Sequence, residues 1–157
     1  MSKLYSTKSL KSMVSITLMS AALGLTACSG SIDPDVKARQ DIMKNYGDTM
    51  KVVGGMVKEP DTFDADLVKE QASFLAGASK DPWVHFENQE AVGNATEAVW
   101  SDKETFLAES EKFQKVTAEL NTAAQTATSV DDIKAEFGAV GKSCKSCHTD
   151  FQVKTDD

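Results

Sequence analysis

Apolar residues recur at three- and four-residue intervals along most of this chain, and no alternating run of any length competes with them. Val36, Met43, Tyr46, Met50, Val53 and Val57 fall on one stripe and predict a first amphipathic helix of roughly 25 residues. Pro34 suits its first turn, where a missing N–H costs nothing, and Glu59-Pro60 stops it. Gly54-Gly55 should loosen its last turns. A shorter second helix is predicted from about Asp64 to Ala78, with Leu67, Phe74 and Leu75 inward and Asp64 and Asp66 at the positive end of its dipole. Residues 79–94 have no period and contain Pro82 and Gly93. They read as a long connection closing over one side, and such a loop in a compact domain usually has work to do.

The third helix has the clearest pattern, with Val99, Phe106, Phe113 and Leu120 every seven residues and Val116 beside them. Ser101-Asp102-Lys103-Glu104 fits a capping box, so the main helix should start near Ser101, after a turn carrying Trp100, and reach about Gln125. Ser129-Val130-Asp131-Asp132 is a second such start. A fourth helix should run from there to about Lys154, with Ile133, Phe137, Val140 and Cys144 on one face. Four helices joined by mostly short linkers make an all-α, antiparallel four-helix bundle.

The first 27 residues are set apart. Lys3, Lys8 and Lys11 precede an apolar run, Met13 to Ala27, too short to span a bilayer comfortably, which reads as a secretory signal. Leu25-Thr26-Ala27-Cys28 resembles a bacterial lipobox, so cleavage before Cys28 and lipidation of that thiol are expected; the alternative is an ordinary small-residue cleavage site. Residues 28–35 then form a tether and 36–157 the domain. All 24 acidic residues follow the signal, so the exported part is more acidic than the formal charge of −7 for the whole. That argues against nucleic acid or an anionic membrane surface as partner and favours a basic redox partner. The chain is expected in the periplasm, held to a membrane only by its lipid.

The chemistry is concentrated in Cys144-Lys145-Ser146-Cys147-His148. This CxxCH is the attachment signature of haem c: each thiol can add to one porphyrin vinyl group, and the adjacent histidine becomes an axial iron ligand. Structural zinc would need a second ligand pair, and the chain offers only His85 and carboxylates. A redox CxxC normally opens a helix, where the dipole lowers the thiol pKa, whereas this one sits near a helix's C-terminal end. A second strong iron ligand has to come from upstream. Met43, Met50, Met56 and His85 are the candidates; packing explains most of the methionines, and a solvent-facing loop position explains His85.

Three stretches carry a resemblance to the cytochromes c-prime and their low-spin relatives, the class II c-type cytochromes. They are Arg39-Gln40 with Met43, then Ala98-Val99-Trp100-Ser101-Asp102 with Phe106, and Phe137-Gly138-Ala139-Val140 through His148 to Phe151. The resemblance covers residues 36 to 154. It implies haem inserted near one end of the bundle and a homodimer through the first two helices. It also implies thioethers at Cys144 and Cys147, His148 as proximal ligand, Met43 on the distal face, and Arg39 and Gln40 beside the propionates. Four residues after the haem histidine the family commonly has a basic residue; here Gln152 stands there and Lys154 two further on.

Met43 divides the functional readings. Bound to iron, it gives a low-spin electron carrier. Merely packed over iron, it leaves a site for a small neutral gas such as NO or CO. A peroxidase-like enzyme would need a distal acid–base pair, and none stands beside Met43, so the chain is read as a non-enzyme. The farthest alternative is a helical lipoprotein without haem.

Overall fold

Pro34 opens the first helix as expected. Asp33 caps it by accepting from the Asp35 N–H at 2.8 Å, and the helix α1 runs Pro34–Lys58. The computed structural model describes residues 32–154. The signal segment, Cys28 and most of the tether lie outside the described residues; the helix begins two residues inside the expected tether. A short 3-10 turn, Pro60–Thr62, leads to α2, Ala65–Ala78, whose N-cap Asp64 accepts from the Leu67 N–H at 3.0 Å. Val68, Ala72 and Leu75 form its buried face. Phe74 was expected inward but is 43% exposed, because one residue of helix turns it about 100° away from Leu75.

The third helix is in two pieces, a single turn α3, Ala98–Ser101, and the long α4, Lys103–Ala124. The cap is Asp102, which accepts from the Thr105 N–H at 3.4 Å, and not the expected Ser101, which closes the preceding turn. Val99, Phe106, Phe113 and Leu120 are all buried. The Ser129–Asp132 capping box forms around a 3-10 turn, and α5, Lys134–Phe151, follows. It ends three residues short of the expected Lys154. There the chain leaves the helix to pair with the upstream loop, Thr96 N–H donating to Phe151 O and Val153 N–H to Asn94 O.

α1 and α2 run antiparallel: the Tyr46 hydroxyl donates to Ala78 O at one end, and the Asp64 N–H reaches the Met56 sulfur at the other. α4 packs on both α2 and α5, while α1 leans mainly on α2. Tyr46, Val53, Val68, Leu75, Phe113, Leu120, Ile133 and Val140 make one continuous core. A second cluster of Ala95, Val99, Phe106 and Phe151 lies at the end of the bundle where α5 finishes. Trp83 touches both.

The long connection is where backbone hydrogen bonding runs short. It carries a 3-10 turn, Trp83–Phe86, and otherwise only isolated turn bonds such as Ala91 N–H to Asn88 O and Ala95 N–H to Val92 O. Buried carbonyls need donors, and three side chains supply them. Trp83 Nε1 donates to Ser79 O and Trp100 Nε1 to Phe86 O, both at 2.8 Å. Arg39, 5% exposed, reaches His85 O and Val92 O at 3.1 Å and Ala91 O as well, with its guanidinium 4.4 Å above the Phe86 ring. Gly93, at φ +54°, lets the loop press onto α1: a Cβ there would lie 2.7 Å from Val36 Cγ1. His85 is not the solvent-facing residue expected. It is half-buried, and its Nδ1 lies 2.9 Å from Asp35 Oδ1.

Arg39→Lys is expected to destabilise the protein by about 2–4 kcal/mol in guanidinium unfolding, since an ammonium cannot reach three carbonyls and leaves buried acceptors unmade. Hydrogen exchange should quicken across residues 83–93; unchanged unfolding and exchange would contradict the clamp. Asp132→Ala should lower the melting temperature at neutral pH. Asp132 Oδ2 accepts from the Thr128 and Ser129 N–H groups at 2.8 and 3.0 Å, and these bonds hold its carboxyl pKa below the ordinary value. The wild-type advantage is therefore complete above the ordinary carboxylate range and disappears as the pH falls through the depressed folded-state pKa. Melts of both proteins, neutral and in acid, check the sign.

Candidate functional site

The last turns of α5 place Cys144, Cys147 and His148 together, since residues three and four apart share a helix face. Cys144 packs against the main core and Cys147 against the aromatic cluster. Both thiols are partly buried, and that burial pushes their pKa values up, Cys147 to about 11 with the Glu109 carboxylate adding to the effect. Thiols held protonated at a helix's C-terminal end are unlike the activated thiolate of a redox CxxC. His148 is exposed along its outer edge, yet desolvation of the rest lowers its pKa, which favours the neutral imidazole that binds metals.

These residues border a cleft between α1 and α5, made of two adjoining hollows of about 110 and 270 Å³. Met43, Trp83, Cys147 and His148 line both. The smaller hollow reaches Arg39, Gln40, Phe86, Phe106 and Phe151; the larger reaches Tyr46, Met50, Phe113 and Cys144. The back wall is a ring cluster, with Phe86–Phe106 centroids 5.0 Å apart and Phe106–Phe151 5.2 Å. An apolar, aromatic-walled cleft with two neutral thiols and an imidazole on one side suits a flat apolar macrocycle carrying a metal.

The remaining sequence candidates divide clearly. Met43 is in the cleft, on α1, facing the space that His148 borders from α5. Met50 borders only the larger hollow, and Met56 is buried in the core with its sulfur bound to the Asp64 N–H. His85 does not line the cleft. Gln40 is exposed at the rim with its amide free to face a ligand. Arg39 also reaches the cleft, but its two Nη atoms bind the loop carbonyls, which leaves chiefly Nε–H for a carboxylate. Gln152 lies at the rim of the smaller hollow.

Several lining residues were not singled out in the sequence, Trp83, Phe86 and Glu109 among them. Trp83 and Phe86 sit in the connection without a period, where only their spacing of three hinted at a shared face. Glu109 was visible in principle. It falls three residues after Phe106 and four before Phe113, so a carboxylate interrupts the most regular apolar stripe of the chain. Its Oε1 accepts from Ser146 Oγ, inside the CxxCH segment, at 3.0 Å and from Lys112 Nζ at 3.1 Å.

Comparison with known proteins gives the same picture. The family model for cytochrome c' matches residues 35–152. A cytochrome c' of Alcaligenes xylosoxydans xylosoxydans is 32% identical over 119 residues, 76% of this chain and 93% of that protein. The cytochrome c-556 of Rhodopseudomonas palustris is 27% identical over 147 residues, 90% of this chain and 99% of that one. Among solved structures, cytochrome c' from Rubrivivax gelatinosus superposes with a TM-score of 0.70 at 30% identity, covering 75% of this chain and 94% of its own. A nitric oxide complex of a mutant cytochrome c' from Alcaligenes xylosoxidans gives 0.72 at 30%, covering 77% and 94%. With an antiparallel helix bundle, an apolar cleft beside CxxCH and a family match over nearly all the described residues, this chain belongs to the cytochrome c' family of class II c-type cytochromes, which bind haem c and its iron covalently.

Proposed function

We propose that this protein is an exported one-electron carrier whose haem c is joined to Cys144 and Cys147 and ligated by His148 and Met43. The observation that carries this reading is the position of Met43, which borders both hollows together with His148 from the opposite helix. When bound, haem iron supplies a one-electron couple tuned by its axial ligands. Cys144 and Cys147 would hold the group by thioethers to α5, and His148, whose pKa burial lowers, would offer it a neutral imidazole. Met43 offers a soft thioether from α1. Trp83 lines both hollows and Phe86 the smaller, so their rings would shield the bound group, and two fixed ligands would limit reorganisation between oxidation states. Arg39 Nε–H and the Gln40 amide serve the propionates.

The acidic surface suits a basic redox partner. Among the described residues no helix is long and apolar enough to cross a membrane. Export to the periplasm and anchoring through lipid on Cys28 follow from the signal-like N-terminus. Exposed Val52 on α1 and Phe74 on α2 suit a homodimer through the first two helices.

A second reading is favoured by the nitric oxide complex of the Alcaligenes relative: Met43 packs over an open iron, and the protein binds NO or CO. Neither reading needs enzymatic turnover. Met43→Ala separates them. The carrier reading predicts a low-spin wild-type spectrum, indifferent to CO when ferrous, that becomes high-spin and CO-sensitive in the variant. A wild-type ferrous spectrum that already shifts with CO, and that the substitution leaves alone, would transfer the function to gas binding.

A further inference from the structure

Among the described residues lining the cleft, Glu109 is the only carboxylate. It is also unlike the other ion-paired acids of the helices. Its side chain is 16% exposed, whereas Asp35, Asp41, Asp48 and Glu119 in their pairs are 38% to 60% exposed. Surface pairs of that kind contribute little, but a shielded charge acts through a lower effective dielectric. Two contacts fix the carboxylate. Ser146 Oγ donates to it from between the two cysteines, and Lys112, itself 48% exposed, approaches it one helical turn along α4.

We propose that Glu109 and Lys112 set the reduction potential of the site from α4, Glu109 lowering it and Lys112 limiting how far. This rests on the haem reading of the cleft. A negative charge beside the iron stabilises the more positive, ferric state. Lys112 opposes that effect, but its greater exposure lets water and salt weaken it more than they weaken Glu109. The Ser146 bond keeps the carboxylate at a constant place relative to the attachment segment, so the charge acts at fixed distance. Glu109 is thus a potential-tuning residue with no part in ligation.

The test is a spectroelectrochemical titration of the holoprotein and three variants. Glu109→Gln keeps an acceptor for Ser146 and removes only the charge. At a fixed applied potential it should shift the ferric-to-ferrous ratio on the order of tenfold toward ferrous, about 59 mV per tenfold for one electron. Lys112→Met should shift the ratio by a smaller factor toward ferric. Ser146→Ala, which keeps both charges, should move it little. An unmoved potential in Glu109→Gln, or a Ser146→Ala shift as large, would overturn the proposal, the second because position and not charge would then be the cause. Covalent haem is scored separately by whether colour survives denaturation and acid extraction. Colour that survives with no shift sinks only the tuning role, whereas colour that is lost sinks the site reading and the tuning with it.

Discussion

The cleft exists because an irregular segment is held against α1 without a sheet or helix of its own to satisfy its backbone. Arg39, Trp83 and Trp100 bring N–H donors to five carbonyls between Ser79 and Val92 on side chains that are themselves large and packable. The same residues do two jobs. Trp83 donates to Ser79 O and presents its ring to both hollows; Arg39 ties down the loop and lies over Phe86, one of the cleft's walls. Loss of the clamp therefore acts on the site as much as on the fold. Gly93 completes it, since only a residue without Cβ lets the loop approach Val36 this closely.

Opposite that loop, α5 brings the chemistry to the same place by where it stops. The attachment segment occupies its last turns, and the chain then leaves the helix to bond with residues 94–96 beside the loop. Burial keeps the thiols protonated and the imidazole neutral. Those protonation states suit the covalent haem c of the family better than they suit an activated thiolate. On the proposed reading, a carrier and a gas binder differ by whether Met43 on α1 ligates the iron, and one bundle accommodates both.

Most of the architecture was legible in the sequence because it depends on local, periodic signals. The stripe from Val36 to Val57, the heptads from Val99 to Leu120, the start at Pro34 and the capping box at Ser129 need no distant partner to be read. Phe74 was misplaced because an aromatic residue next to Leu75 looks equally inward until the 68, 72, 75 face is known. The end of α5 was missed because it is set by pairing with a loop about 55 residues away, which no local pattern reports. In the site, CxxCH was readable from residue type and spacing, whereas Met43 was one of four upstream candidates until the family resemblance singled it out. The role of Arg39 as a loop clamp, the pairing of His85 with Asp35 and the bond from Ser146 to Glu109 were not readable, since each depends on which carbonyl, carboxylate or hydroxyl the fold brings near.

The proposed function requires one haem joined to α5 at Cys144 and Cys147 within this cleft. Peptide mapping of the denatured, alkylated holoprotein, made in a host that matures c-type cytochromes, tests it directly. A single haem mass is expected on the segment spanning Cys144 to His148, with neither thiol alkylated. Alkylation of both cysteines, with no haem retained, would contradict it.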